Sequence, residues 1–437
     1  MGSLITHTGT FSLDDRIASP WHYLPVEVPA GAAGLRVKLT FPRESGAVLD
    51  LGCFDPAGFR GWSGGARDSF VLSELGATPG YLAGPVSPGL WQVVIGLHLV
   101  PVEGVPFTVT AEPLSSRSAA LEGQLAGGLA VPDSLLGPGS LAVAGSPLGA
   151  GSLWGPGSPP VPSARPARRS LPAEAGLTWL AGDLHAHTFH SDGVLSVAEL
   201  AAYAVERGLD FVAVTDHNTV SHHASLGPVS SRYGVTLLPG QEVTTELGHA
   251  GVLGDTGWVD FREPASSWLS AAEAAGGLMS VNHPFAGPVS WVHPMPKRPP
   301  LLEVWHWSWL DLSWTTPLSW WQAWDPSAIP VGGSDWHRPG SDAPLGTPTT
   351  WVSCADASVT GVLDGLRAGR VAISASRDGA VLLRDEDSLV AVGADGLGLA
   401  GPAGPYKRIS GDMARLPGAP GYHRLLTPAG ATVALTP

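Results

Sequence analysis

Residues 178–188 have the sequence Thr-Trp-Leu-Ala-Gly-Asp-Leu-His-Ala-His-Thr, and residues 209–218 have the sequence Leu-Asp-Phe-Val-Ala-Val-Thr-Asp-His-Asn. Each segment begins as a short apolar run and ends in histidine and carboxylate side chains. Such a run, apolar on both faces, is typical of a strand buried in a parallel sheet. Between the two segments, Ser196 and Glu199 have the spacing of a capping box, which predicts a helix start. The two segments therefore predict a β-α-β unit.

The same alternation of apolar runs and helical patterns continues towards the C-terminus. Further helices are predicted over 265–275 and 359–368. Repeated β-α units favour a barrel, so we expect residues 176–375 to form an α/β barrel. The additional strands are predicted near 235–241, 250–253, 278–281, 301–304 and 329–332.

The chain on either side of this region has a different character. Residues 1–112 contain short alternating strands separated by Gly and Pro, with no helical stretch, which predicts an accessory β-sandwich domain. Residues 113–175 are rich in Gly, Pro and Ser, which predicts a flexible linker. Strand-like runs within 376–437 predict a small β-rich appendage.

Composition excludes some classes of protein. The 437 residues include 24 Lys and Arg against 38 Asp and Glu, a net charge of −14. Such a charge argues against a binding surface for long nucleic acid. The 2 cysteines, Cys53 and Cys354, form no CxxC motif, so a disulfide framework is not expected. No signal peptide or membrane span is visible, and we expect a cytoplasmic location.

The most informative pattern is the position of histidines and carboxylates at strand ends. The C-terminal ends of parallel strands converge on one mouth of an α/β barrel. His185 and His187 are two residues apart, as are Asp335 and His337, so each pair points in one direction from a strand. We expect these residues to hold metal ions. The full candidate set is His185, His187, Asp192, His217, Glu242, His249, His283, Asp335 and His337.

The donor types indicate which metals fit. Imidazole and carboxylate suit Zn, Mn and Fe(II), and a bridging carboxylate allows two ions to lie ~3.5–4 Å apart. No cysteine is among the candidates, which argues against a closed structural zinc site. We therefore expect two or three divalent ions that activate water.

The sequence resembles the polymerase and histidinol phosphatase (PHP) family over about residues 177–375. The resemblance rests on Asp-Leu-His-Ala-His-Thr, Thr-Asp-His-Asn, a buried-strand Glu, Asn-His-Pro and Ser-Asp-Trp-His, in that order. Within that family, a Trp-rich barrel behind a β-sandwich is similar to the CehA/McbA-type metallohydrolases. The stretches Phe59–Arg67 and Thr78–Tyr81 are similar to that branch as well.

The resemblance implies a distorted barrel and a division of the ligands among metals. His185, His187, Glu242 and Asp335 would hold the first ion. Glu242 would bridge to a second ion, held also by His249 and His283. Asp192, His217 and His337 would hold a third, although Asp192 stands where some relatives have His. If the third site is not filled, His217 or His337 could act as acid or base. The residues expected in catalysis are Glu242, Asp335, His217 and His337.

Several functions fit this site. We expect hydrolysis of a phosphate mono- or diester of small size, and the alternative is a carboxylic or carbamic ester. A non-catalytic metal-binding or carbohydrate-binding protein is a further alternative, which the complete ligand set disfavours. An amidohydrolase-type barrel is disfavoured because Lys occurs only at Lys38, Lys297 and Lys407, none at the carboxylated-lysine position. The sequence leaves the oligomeric state open.

Substrate contacts are predicted beside the last strand ends. His306 and Trp307 follow Glu303, and Arg338 follows His337, so these three residues are candidate substrate-binding groups. The chain has 17 Trp, and many fall between residues 305 and 324. The tryptophans in that stretch either pack in the core or form a stacking wall for an aromatic group.

Overall fold

A computed structural model describes residues 3–120, 159–309, 315–340 and 343–437. The chain divides into two compact units. Unit 1 contains Met1–Ala150, Phe189–Asp192 and His217–His222, and unit 2 contains Gly151–Thr188, Gly193–Asp216 and His223–Pro437. Most of the predicted linker, residues 121–158, lies outside the described residues.

Unit 1 contains two antiparallel sheets. One sheet has the strand order β1-β9-β3-β6-β7 and the other has the order β2-β8-β4-β5. Alternation of buried and exposed side chains, as along β3, gives each sheet one apolar face. The strands are β1 Ile5–Phe11, β2 Trp21–Val28, β3 Gly34–Thr40, β4 Val48–Asp55, β5 Gly58–Gly64, β6 Ser69–Ser73, β7 Gly76–Ala77, β8 Gly89–Leu99 and β9 Val105–Leu114.

The apolar faces of the two sheets share one hydrophobic core. Leu35 and Val37 of β3 lie in the same cluster as Trp91 and Val93 of β8. The expectation of no helix in this region was wrong, because α1 covers Leu13–Ala18. Ser12 caps this helix in a capping box that Asp15 completes, a short signal that the strand-like surroundings obscure.

Unit 2 is mixed α/β, and its first seven strands lie side by side in one sheet. The order is β16-β15-β14-β13-β12-β11-β10, and β10 continues to β17 and β18. β10, β11 and β12 are mutually parallel, whereas β13 runs antiparallel to β12 and β14. These strands are β10 Thr178–Ala186, β11 Phe211–Val214, β12 Thr236–Thr245, β13 Gly248–Leu253, β14 Leu278–Asn282, β15 Leu301–His306, β16 Ile329–Gly333, β17 Thr349–Cys354 and β18 Val371–Ser374.

The two outermost strands of that series also meet. Ala186, the last residue of β10, forms a parallel bridge with Trp336, just after β16. His187 N–H donates to the Trp336 carbonyl oxygen at 2.9 Å. The ends of β10 and β16 are therefore adjacent, which brings their polar motifs together.

Helices cover the sheet of unit 2. The capping box at Ser196 and Glu199 is confirmed at the start of α2. The sequence did not predict α3, which contains Pro228, or α5, in which Pro317 occupies the first turn and tryptophans follow. The helices are α2 Val197–Glu206, α3 His223–Tyr233, α4 Ala265–Ala274, α5 Thr316–Trp324 and α6 Val359–Arg367.

The segment before β10 and the C-terminal region both contact the rest of unit 2. Arg165 and Arg168 form ion pairs with the buried carboxylate of Asp210, so this part of the predicted linker is anchored. In the C-terminal region β25 pairs with β18, while β19, β20 and β23 form a separate sheet. The strands are β19 Val381–Asp385, β20 Ser388–Val392, β21 Gly398–Gly401, β22 Gly404–Arg408, β23 Met413–Pro417, β24 His423–Leu426 and β25 Thr432–Thr436.

Within the described part of the chain, no helix combines the length and the apolar character needed to cross a membrane.

Candidate metal centre

Four of the predicted ligands lie close together near the C-terminal ends of β10, β12 and β16. His185 lies on β10 and His187 follows it, Glu242 lies on β12, and Asp335 follows β16. All four residues have donor atoms within 4.8 Å of one another. His185, His187 and Glu242 are buried, and the Asp335 side chain is 19% exposed. A buried group of this composition has to be neutralised by a proton or a cation.

The separations between donor atoms match a metal coordination shell. His185 Nε2 lies 3.0 Å from Glu242 Oε1 and 3.1 Å from Asp335 Oδ1. His187 Nε2 lies 2.9 Å from Asp335 Oδ1 and 3.6 Å from Glu242 Oε2. Ligands at about 2.0–2.2 Å from one ion lie roughly 3.0–3.5 Å from each other. The buried His185 Nε2 makes no hydrogen bond among the described residues, so its lone pair and the two oxygens suit a shared cation.

Glu242 also contacts a second group of donors. Its Oε1 lies 3.1 Å from His283 Nε2 and 3.4 Å from His249 Nδ1. Asn282 Nδ2 donates to the same oxygen at 3.0 Å. One carboxylate thus contacts the His185 and His187 pair as well as the His249 and His283 pair, as a bridging ligand between two ions requires.

His249 reaches this place because β13 reverses direction. It lies near the start of β13, which runs antiparallel to β12, and it is paired in register with Thr244 of β12 and Asn282 of β14. The start of β13 therefore lies beside the C-terminal ends of its neighbours. His249, near the start of β13, therefore lies at the same edge of the sheet as the ligands near the C-terminal ends of neighbouring strands.

Glu303 is a functional candidate that the sequence analysis did not assign. It lies on β15 and is 2% exposed. Its Oε1 lies 3.2 Å from His185 Nδ1, and its Oε2 accepts the His283 N–H at 2.6 Å. A carboxylate on the outer nitrogen of a metal-binding histidine fixes the tautomer and the ring orientation. The available signal was a lone charge inside the apolar run Leu301–Trp305.

The charges of the cluster favour a bound cation. Burial disfavours the imidazolium form of His185, but Glu242, Asp335 and Glu303 outweigh burial and raise its pKa well above the usual value. Burial likewise opposes the ionised form of Asp335, yet His185, His187 and His306 hold its pKa well below the usual value. The three carboxylates thus stabilise positive charge at this point, and a divalent cation supplies that charge when it displaces the proton.

Backbone strain concentrates in the same motifs. Four non-glycine residues among those described have positive φ, and three of them are Asn218 at 54°, His283 at 24° and Asp335 at 47°. Non-glycine residues in this region cost free energy, and they persist where the surrounding structure imposes them. Asp183 imposes one such turn, because its carboxylate accepts the Ser334 and Gly346 N–H groups at 3.0 and 2.7 Å beside Asp335.

The three residues proposed for a third ion lie in loops. In unit 1, Asp192 Oδ1 and His217 Nε2 are 3.6 Å apart, with side chains 45% and 22% exposed. In unit 2, His337 stacks on the His187 ring at 4.2 Å between centroids. His337 Nδ1 bonds to the Asp335 carbonyl oxygen at 2.7 Å, and that oxygen only accepts. Nδ1 therefore carries the hydrogen, and Nε2 is the basic nitrogen of His337.

The predicted substrate-binding residues occupy different settings. His306 is buried, and its Nε2 lies 3.4 Å from Asp335 Oδ2, so it contacts the metal cluster itself. Trp307 is half-buried with its ring 5.8 Å from that of His306, and Arg338 is exposed. Trp336, next to Asp335 in the chain, packs against Tyr203 in the core.

These features define a candidate centre for divalent metals built on an α/β fold. Residues 183–276 match the PHP domain, and this range includes His185, His187, Glu242 and His249. The PHP resemblance that the motifs indicate over about residues 177–375 is thus found over residues 183–276.

Curated relatives match only a short part of the chain. A 5'-3' exoribonuclease of Haemophilus influenzae is 34% identical over 70 residues, which are 16% of this chain and 26% of that protein. The 5'-3' exoribonuclease Rnm of Escherichia coli is 42% identical over 65 residues, 14% of this chain and 22% of that protein. The chain therefore spans about a quarter of the length of the curated relatives it matches.

Two solved structures are weakly similar to this chain. A two-domain protein from Bacteroides vulgatus, described as containing a predicted PHP-like metal-dependent phosphoesterase, has a TM-score of 0.42 at 17% identity. The match covers 62% of this chain and 100% of that one. An amidohydrolase from Chromobacterium violaceum has a TM-score of 0.29 at 18% identity, covering 37% and 89% of the two chains. At these TM-scores neither likeness bears on the fold or the function of this chain.

Proposed function

We propose that this protein is a hydrolase that uses two or three divalent metal ions to cleave a phosphate ester of small size, either a mono- or a diester. The observation that carries the proposal is the position of Glu242, whose carboxylate contacts both histidine pairs at 3.0–3.6 Å. Protein sites with one buried carboxylate between two sets of imidazoles are suited to a pair of ions.

The proposed ligand assignment follows the observed contacts. His185, His187, Glu242 and Asp335 would hold the first ion, and Glu242, His249 and His283 the second. Asp192, His217 and His337 remain the proposed ligands of a third. Divalent ions bound there, Mn, Zn or Fe(II), would lower the pKa of a bound water and polarise the ester oxygen.

The surrounding residues would orient the ligands and move protons. Glu303 holds the His185 and His283 segments by accepting from both. The basic Nε2 of His337 suits it to take a proton from water or return one to the leaving group, if it is not a ligand. His306 Nε2, next to Asp335 Oδ2, is the second group able to move a proton at the edge of the cluster.

We also propose the finer architecture. Strands β10–β16 would form the distorted PHP-type barrel, which the Ala186–Trp336 bridge supports because it joins the two ends of the series. The two sheets of unit 1 would form a β-sandwich, since they share one core. Together these features support assignment to the CehA/McbA-type branch.

A phosphate ester is favoured by the matched domain and by the relatives. Residues 183–276 match the PHP domain, and the curated relatives are named as exoribonucleases, enzymes whose substrates are phosphodiesters. A carboxylic or carbamic ester with an aromatic group is the second candidate. The aromatic side chains beside the cluster favour it, because Trp307 and Trp309 both lie within 6 Å of the His306 ring, at 5.8 and 5.0 Å.

The test begins with metal-free protein, prepared with a chelator and reloaded with Mn²⁺, Zn²⁺ or Fe²⁺. Bis-p-nitrophenyl phosphate, p-nitrophenyl phosphate and naphthyl acetate then separate the ester classes. We expect metal-dependent turnover of a phosphate ester that Glu242→Gln abolishes and the exposed control Glu273→Gln preserves. Turnover of naphthyl acetate alone would favour the second candidate, and fewer than one bound ion per chain would refute a metal-dependent hydrolase.

A further inference from the structure

Two loops that carry proposed metal ligands belong to unit 1 together with its antiparallel sheets. The segment Phe189–Asp192 follows the first histidine motif, and the segment His217–His222 follows Asp216. Asp192 ends the first segment, and His217 begins the second. The contacts that fix these two segments therefore decide where the Asp192 and His217 side chains lie.

The side chain of Arg67, in the turn between β5 and β6, bonds to backbone carbonyl groups of the first segment. One guanidinium nitrogen donates to the Ser191 carbonyl oxygen at 3.0 Å, and the other donates to the Phe189 carbonyl oxygen. These two oxygens lie on either side of His190. A planar guanidinium that bonds both oxygens restrains the position and the direction of the chain as it enters Asp192.

Gly80, between β7 and β8, binds the second segment. Its carbonyl oxygen accepts from Thr219 Oγ1 at 2.8 Å, and its N–H donates to Ser221 Oγ at 3.0 Å. Ser221 Oγ also lies 2.7 Å from His190 Nδ1, which links the two segments. Gly80 has φ of 98°, and a Cβ there would lie 2.7 Å from the Trp62 carbonyl oxygen, so other residues would be strained.

We propose that Arg67 and Gly80 are positioning residues for a metal site, holding Asp192 and His217 at ligand distance from each other. The proposal rests on the proposed third ion and assigns a role to the two stretches of unit 1, Phe59–Arg67 and Thr78–Tyr81, that the sequence analysis singled out. The Asp192 side chain is 45% exposed, so burial does little to fix it. Its backbone has to be fixed by other contacts, because ligand geometry tolerates only about 0.5 Å of error.

The first experiment compares Arg67→Met with Arg36→Met in the full-length protein. Arg36 lies on β3 of the same unit, and its guanidinium pairs with Glu112 at 2.6 Å on an exposed surface. Metal-free protein is titrated with Mn²⁺ by calorimetry, and bound ions are counted by electron paramagnetic resonance. Arg67→Met should weaken the weakest of three sites ten-fold or more and leave the two tighter sites within two-fold, while Arg36→Met leaves all three unchanged.

A second variant tests the same inference independently, in case Arg67→Met does not fold. Thr219→Val keeps the shape of a fully buried side chain but removes the hydroxyl that bonds the Gly80 carbonyl oxygen. Thr219→Val should weaken Mn²⁺ binding at the same site as Arg67→Met does. The double variant Arg67→Met with Asp192→Asn should bind Mn²⁺ no more weakly than Asp192→Asn alone, since a positioning effect vanishes once its ligand is lost.

The outcomes separate this inference from the proposed function. Three sites in the wild type with unchanged affinities in Arg67→Met and Thr219→Val would overturn the inference and leave the hydrolase proposal intact. Two sites in the wild type would overturn the third site and this inference with it, leaving a two-metal hydrolase. Additive losses in the double variant would show that Arg67 acts on general stability, which also overturns the inference.

Discussion

Replacing Glu303 by Gln tests whether an unassigned carboxylate organises the metal centre. In the wild type, both of its oxygens face donors: His185 Nδ1 at 3.2 Å and the His283 N–H at 2.6 Å. Glutamine has one oxygen, so its amide NH₂ must face one of these donors. The variant therefore loses one charge-assisted hydrogen bond whichever way the amide is turned.

The magnitude follows from the burial of the site. Glu303 is 2% exposed, and a Cβ added at Gly333 would clash with its Oε1, so the Gly333 backbone closely approaches the carboxylate. A hydrogen bond to a charged group contributes about 1.5–3 kcal/mol. Since 1.4 kcal/mol corresponds to about a factor of ten, the metal affinity should fall by roughly 10- to 100-fold. Changes to the outer partners of metal-binding histidines have effects of about this size.

The assay is competition between the metal-free protein and a chromophoric chelator for Zn²⁺, with Glu273→Gln as control. Glu273 is an exposed glutamate whose carboxylate pairs with Lys297. Thermal unfolding of the metal-free proteins shows whether the fold is kept. Zn²⁺ affinity of Glu303→Gln within three-fold of wild type, with an intact fold, would refute the argument that Glu303 orients His185.

Three further predictions concern the bridging Glu242, the Asp50 carboxyl of β4 and the aromatic residues. Glu242→Gln should lose one bound metal and nearly all turnover, because a neutral amide bridges two cations poorly; near-normal turnover would remove Glu242 from this role. Burial raises the pKa of Asp50 from 3.8 to about 7. The folded state therefore keeps a proton that the unfolded state releases, and stability falls as pH rises from about 4 to 7. Asp50→Asn should accordingly raise the melting temperature relative to wild type more at pH 8 than at pH 5, and a pH-independent difference would contradict this. Trp307→Ala should raise KM for aromatic esters ten-fold or more and leave aliphatic esters and metal content unchanged; equal losses on both would indicate a packing role.

Much of the local structure could be predicted from the sequence because the spacing of apolar residues follows the period of the helix or strand that buries them. The strand-like runs predicted within 376–437 include β20, Ser388–Val392, and the capping box at Ser196 starts a helix. Elements whose local signals conflict were missed. Helix α3 contains a proline, and α1 lies among strands, so tertiary packing decides their conformation rather than intrinsic propensity.

The types and spacing of the candidate ligands were visible in the sequence, but their partners were not. Two histidines two residues apart on a strand point the same way, and this follows from backbone geometry alone. The pairing of Glu303 with His185 joins residues 118 positions apart, and that of Arg67 with Ser191 joins residues 124 apart. No local pattern encodes contacts over such separations.

The sequence by itself determined the chemistry of this protein: a run of imidazoles and carboxylates at strand ends, suited to divalent metals. Only the tertiary structure decided which of these side chains lie close to one another. The reversal of β13 brings His249 to Glu242, and β15 places a buried Glu303 behind His185. The segments that carry Asp192 and His217 belong to unit 1 together with its antiparallel sheets. The physical reason is that donor types are properties of residues, whereas coordination depends on distances of about 3 Å that only the packed chain defines.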